Sequence, residues 1–267
     1  MEAGTEAMNC YYTLNGAWPA KVETPEAIGA ALLRTLDDLE AAGGVFADWG
    51  LWAEPMDNDP DFDPEDPKYA KWLEAEPVTQ FRGRMTQLVA ANVSRDERGE
   101  DINDGYTILG RSLTTTFDPR SAASLSLTAG SKSTNHAAIN VGNMLSGVNP
   151  AMVEYQPFKA ALLAVAANWP CPWASFGAFP LINFNPRSTP SPFAWRPIFG
   201  MAWMGYLSAE RADGLAVPHA LVTERRPDGG LLLIAAEEPL DADNPRHVKA
   251  TALLGDILAE RGGNPSR

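Results

Sequence analysis

The segments YTILGRSLTTTF (residues 106–117), ASLSLTA (123–129) and AINVGNML (138–145) decide the architecture of this chain. They alternate apolar with polar residues or are rich in strand-favouring ones, and Asp118-Pro119, Gly130-Ser131 and Ser146-Gly147 punctuate them. Period-two patterning places one side of a strand on a core, and short runs bounded by turn residues pair most simply as antiparallel neighbours.

Working outward towards the N-terminus, residues 79–94 (TQFRGRMTQLVAANVS) carry Phe81, Met85 and Leu88 at helical spacing, interrupted by Gly83. Residues 46–52 (FADWGLW) read as a strand. Upstream of it, Thr24 as N-cap and Pro25 at the first helical position open a helix with Ile28, Leu32, Leu36 and Leu39 on one side, closed by Gly43 and Gly44. Residues 9–15 (NCYYTLN) form a first strand that ends at Gly16.

Towards the C-terminus, residues 150–169 repeat a helical pattern that Pro157 is expected to break or kink. Strands are expected over 174–184 and 198–207, joined by a proline-rich loop. Residues 219–225 and 231–237 flank Arg226-Pro227-Asp228-Gly229-Gly230, which is turn chemistry for a β-hairpin. Asn244 caps a last helix that starts at Pro245 and ends before Gly262. Without a steady βαβ rhythm, the elements predict an α+β fold: a largely antiparallel mixed sheet flanked by about four helices. The expected organisation is a flexible tail over 1–8, one domain over 9–262 and a short tail over 263–267.

The chain carries 34 Asp and Glu against 21 Lys and Arg, a formal charge of −13 over 267 residues. Direct nucleic-acid binding needs a basic face, and no basic cluster appears. Such a field instead steers a cationic partner. Cys10 and Cys171 are too few for a disulfide framework and have no zinc-type spacing. MEAGTEAMNCYY has neither the basic nor the apolar region of a signal peptide, and no apolar run is long enough to span a bilayer, so the expected location is cytoplasmic, with no membrane contact.

The acidity concentrates in EPMDNDPDFDPED (residues 54–66), thirteen residues with seven carboxylates and no basic side chain. Asp57, Asp59, Asp61 and Asp63 recur at every second position, so an extended segment projects them to one side. Pro60, Pro64 and Pro67 oppose a helix here. The stretch reads either as a solvated loop or as a contact surface for a basic partner, in which Asp57, Asp59, Asp61, Asp63, Glu65 and Asp66 supply charge and Trp52 and Trp72 supply aromatic anchors.

Other chemistry fits the residues less well. The Asp57-x-Asp59-x-Asp61 opening resembles a calcium loop, but Phe62 stands where glycine is needed and Lys68 where a bidentate glutamate belongs. AGSKST (129–134) lacks the glycines of a phosphate-binding loop and reads as a turn between strands. His136, in a polar patch before a strand, His219 and His247 have no second ligand at metal spacing, and no GxSxG elbow occurs. No catalytic residue, metal or cofactor is therefore assigned.

YYTLNGAW (11–18), WRPIFGMAWMGYLS (195–208) and RPDGGLLLIAAEEPLDADNPRHV (226–248) together resemble the immunity protein fifty-two family of bacterial polymorphic toxin systems. The resemblance runs in the same order across nearly the whole chain and departs locally at Ala17 and Pro19. It implies a non-enzymatic antitoxin-like protein of the cytoplasm that neutralises a cognate nuclease effector, commonly of restriction-endonuclease fold and delivered by a type VI secretion system (T6SS). Inhibition would follow from covering the toxin's active or DNA-binding face or from blocking its assembly. Two further readings stand beside it: a metal-dependent hydrolase using the acidic loop with His136, and an acidic chaperone for a secreted basic effector.

Overall fold

The computed structural model describes residues 10–53, 75–95, 101–113, 118–180, 201–241 and 243–262. Strand β1 (Cys10–Pro19) runs through the middle of the sheet, past Gly16, where the sequence reading ends it. It is followed by α1 (Pro25–Ala42), in which the Thr24 hydroxyl accepts from the Ala27 N–H and Gly43 at φ 73° closes the helix. Ile28, Leu32, Leu36 and Leu39 form its buried stripe, as their spacing predicts, each contributing about 1.5–3 kcal/mol by removal from water.

The expected strand over 46–52 is mostly something else. Gly44–Phe46 is a 3₁₀ turn, and Asp48 adopts a left-handed conformation at φ 52°, so extended backbone is confined to β2 (Trp49–Leu51). Phe46 is fully buried and meets the ring of Phe158 edge-on at 5.2 Å, so its apolar character served core packing rather than a strand. After β3 (Glu76–Pro77), the helix expected over 79–94 shortens to α2 (Met85–Ala91), preceded by a 3₁₀ turn at Val78–Gln80. Gly83 lies between the two, and the buried Asn92 side chain donates to the Leu88 carbonyl at 2.8 Å where α2 ends.

The deciding segments do form consecutive strands. After β4 (Val93–Arg95) come β5 (Asp101–Ser112), β6 (Ala123–Ala129) and β7 (Thr134–Val141), paired antiparallel in series. The third starts four residues earlier than expected and stops at Val141, because Asn143 turns the chain by accepting from the Leu145 and Ser146 N–H groups. His136, placed before a strand by the sequence, is thus inside one.

Pro157 neither breaks nor kinks α3 (Tyr155–Asn168). It is the third residue of the helix, where a backbone N–H has no intrahelical partner to lose. Next come β8 (Trp173–Pro180), β9 (Met201–Leu207), the single turn α4 (Ala209–Ala212), β10 (Val222–Arg225), β11 (Leu231–Ile234) and α5 (Pro245–Arg261). The predicted hairpin is present as β10–β11, and Asn244 caps α5 by accepting from the Arg246 N–H. The parts of expected strands and loops that fall on residues 114–117 and 181–200, and the tails 1–8 and 263–267, lie outside the described residues.

Every described pairing is antiparallel, and the order across the sheet is β10-β11-β9-β8-β1-β7-β6-β5-β2-β3, with β4 sharing the outer edge of β5, eleven strands among the described residues. The chain is α+β as predicted, with five helices among the described residues rather than about four, the fifth being the single turn α4. One side of the sheet is covered by α1, α2 and α3 over the main core. At its centre, Phe158 packs within 4.7–5.5 Å of the rings of Tyr12, Phe46, Phe176 and Trp203. A smaller core lies on the other side, where Leu254 and Leu258 of α5 cover Leu207, Leu231 and Leu233.

Candidate functional site

Among the described residues, α5 covers the β8-β9-β11 part of that second side. On β1 the core takes Tyr12, Leu14 and Trp18, while Tyr11, Thr13, Asn15 and Ala17 point the other way. Register then builds rows across the sheet. Ser124, Asn140, Thr13 and Gly177 are successive partners, as are Ser126, Ala138, Asn15 and Ser175, and Thr128, His136, Ala17 and Trp173. The result is a surface of small hydroxyl and amide side chains, bounded by α5 on one flank.

Within it lies a shallow trough of about 500 Å³ over β8, β1 and β7. Tyr11 and Phe179 stack at 5.9 Å along its wall, and Thr13 donates to the Asn140 side-chain oxygen at 2.8 Å. That leaves the Asn140 side-chain N–H₂, both ends of the Asn15 amide and both ring nitrogens of His136 without protein partners among the described residues. Ser175, the cross-strand neighbour of Asn15, is buried and its hydroxyl has no partner either. His136 is exposed, and such desolvation as the trough provides lowers its pKa from the ordinary imidazole value; burial likewise raises the phenol of Tyr11.

Of the residues the sequence put forward for partner binding, Asp57, Asp59, Asp61, Asp63, Glu65, Asp66 and Trp72 lie outside the described residues. Trp52 is half-buried just beyond β2, and its backbone N–H donates to the Leu109 carbonyl at 3.3 Å, which aligns it with β5. Beside the same edge is a second hollow of about 390 Å³, with Leu36, Trp49 and Val78 among its lining and Glu40, Asp48 and Arg82 exposed around it. The basic groups nearby are already matched: Arg82 pairs with Asp37 and approaches Glu40 at 3.9 Å, while Arg84 approaches Glu76 at 3.5 Å and lies over the Phe81 ring.

The remaining reactive side chains have structural settings. The β6–β7 turn that superficially resembles a phosphate loop is folded around Asp104, whose carboxylate accepts from the Lys132 N–H at 2.6 Å and from the Ser131 and Ser133 hydroxyls at 3.0 and 3.2 Å. Gly105 at φ 86° lets this turn close, since a Cβ there would sit 2.6 Å from the Ala129 carbonyl oxygen. His247, buried in the first turn of α5, accepts the Asp241 N–H on Nδ1 at 3.1 Å, so its proton sits on Nε2, 3.1 Å from Glu238. His219 is exposed in the turn before β10. Cys10 and Cys171 are free and buried, and burial raises both thiols, that of Cys10 to about 12. Among the described residues, no three His, Cys, Asp or Glu side chains gather as a metal would require, and no helix is long and apolar enough to cross a membrane.

Sequence reasoning did not find the trough. Asn15 and His136 are 121 positions apart and meet only through the β1–β7 register, a long-range pairing with no local signal. The alternation on β7 was the one available hint.

Fold and surface together define an α+β protein on one long antiparallel sheet, with a face of mixed polar and apolar side chains beside α5 that no other described helix covers. Among solved structures it is similar to the Pseudomonas aeruginosa T6SS protein PA0821, with a TM-score of 0.50 at 13% identity, over 98% of this chain and 76% of that one. That likeness is one of fold. No family model matches the chain, so membership of the immunity protein fifty-two family is not shown, and no curated protein matches it.

Proposed function

We propose that the chain is a non-enzymatic immunity protein that binds and neutralises a cognate antibacterial nuclease effector of a type VI secretion system. The observation that carries this reading is the likeness of fold, along 98% of the chain, to a protein described as a T6SS protein. The sequence resemblance to an immunity family is consistent with it. So is the charge of −13: a nuclease presents a basic face to DNA, and an acidic protein can occupy that face with carboxylates where phosphates would sit. The acidic stretch at 54–66 is the proposed source of that complementarity, with Trp52 and Trp72 as its aromatic anchors.

The test is calorimetry of the full chain with the effector domain encoded beside it, with DNA cleavage followed in parallel. The expected result is tight binding and loss of cleavage at equimolar protein. Binding with cleavage undiminished would turn the chain into a chaperone, and absence of binding would remove the reading altogether.

A further inference from the structure

The trough over β8, β1 and β7 holds groups that the immunity reading leaves unused. Among the described residues its lining contains no carboxylate, lysine or arginine, in a chain with 34 Asp and Glu and 21 Lys and Arg. What the described lining offers is aromatic and aliphatic surface set with amide, hydroxyl and imidazole groups. We propose that this trough is a binding site for a neutral saccharide of one or two rings.

The chemistry of the lining selects the ligand class. Among the described lining residues a phosphate or nucleotide would meet no guanidinium, ammonium or helix N-terminus, and a divalent cation would find no carboxylate. A purely apolar ligand would cover Asn15, half-buried and already without a protein partner, and leave its donors and acceptor stranded at a cost. A polyol answers both faces of that amide, because each asparagine side chain donates through its nitrogen and accepts through its oxygen, as sugar hydroxyls do. The free N–H₂ of Asn140 and the His136 ring extend the same set across β7.

Two further features fit. Tyr11 and Phe179 form an aromatic wall at the edge of the floor, a surface against which the C–H face of a sugar ring can pack. A volume of about 500 Å³ falls within the usual range for small-molecule sites. The trough is shallow, so the affinity expected is about millimolar.

The experiment is a residue-resolved NMR titration of the full chain with maltose and, separately, N,N′-diacetylchitobiose, each to about 10 mM. Saturable shifts of the β1 and β7 amides with at least one sugar are expected. Asn15→Ala and Asn140→Ala, checked for unchanged melting temperature, should each weaken binding by about tenfold through loss of hydrogen bonds. Absence of shifts with both sugars overturns the proposal, as do shifts undiminished in both variants. If the cognate effector moves these resonances and neither sugar does, the trough is a protein contact and the saccharide reading is wrong. Because the sugars are titrated without any effector, their failure leaves the immunity reading standing, and failure of that reading leaves the saccharide result intact.

Discussion

Asp104 shows how one side chain can organise a turn whose sequence suggests a different chemistry. Its carboxylate draws together the Lys132 N–H and the hydroxyls of Ser131 and Ser133, and the backbone hydrogen bond from Lys132 is the largest cause of a pKa held below the ordinary 3.8. A folded pKa lower than the unfolded one means that this carboxylate stabilises the protein above pH 3.8 and loses that contribution as the pH falls through its folded value. Asp104→Asn should therefore melt at a lower temperature than the parent at neutral pH, with the difference shrinking steadily below pH 3.8. A difference independent of pH would assign the effect to shape rather than charge. The sequence reading of 129–134 as a turn holds, because the missing glycines were visible, whereas Asp104 as its organiser was not: it lies 28 residues before the Lys132 N–H it accepts. A longer separation in sequence hid the trough, where Asn15 gains its meaning from His136 and Asn140 on another strand.

At the scale of elements, the chain announced its helices better than its strands. Thr24-Pro25 and Asn244-Pro245 are local cap chemistry, and both helices start where those residues place them. Pro157 misled because proline forbids a helix interior yet suits the first turn, and only the position of the helix start distinguishes the two. Strand limits depended on single residues such as Asp48 and Asn143 that redirect the chain. What no local pattern disclosed is that α5 packs on the opposite side of the sheet from α1, α2 and α3. Its seat is Gly205, where a Cβ would lie 2.8 Å from Leu258 Cδ2, so helix and strand approach closely at that point. Leu258 is fully buried there, and Leu258→Ala should cost about 2–5 kcal/mol in denaturant unfolding, by lost burial and the cavity left behind. A loss below about 1 kcal/mol would mean that α5 is not held against β9 by this contact.

The order of the whole sheet, with the N-terminal strand β1 between β7 and β8, is a long-range outcome, and the sequence supports its class without its sequence of neighbours. Charge is the molecular property the sequence does determine. With a net −13, the chain attracts a basic partner before any contact forms, and such steering acts on the association rate and weakens as salt screens it over about 8–10 Å at physiological strength. If the carboxylates of residues 54–66 supply the local part of that field, converting Asp59, Asp61 and Asp63 together to lysine changes the formal charge by six and reverses the sign where it matters most. The triple variant should associate with the effector more slowly, by about tenfold or more at low salt, and its association rate should depend less on salt than the parent's, while its melting temperature stays the same. Stopped-flow association across a salt series separates the two explanations of the parent's acidity. A flattened salt dependence assigns steering to this stretch. An unchanged rate at every salt concentration leaves the field to the rest of the surface and moves the contact away from 54–66.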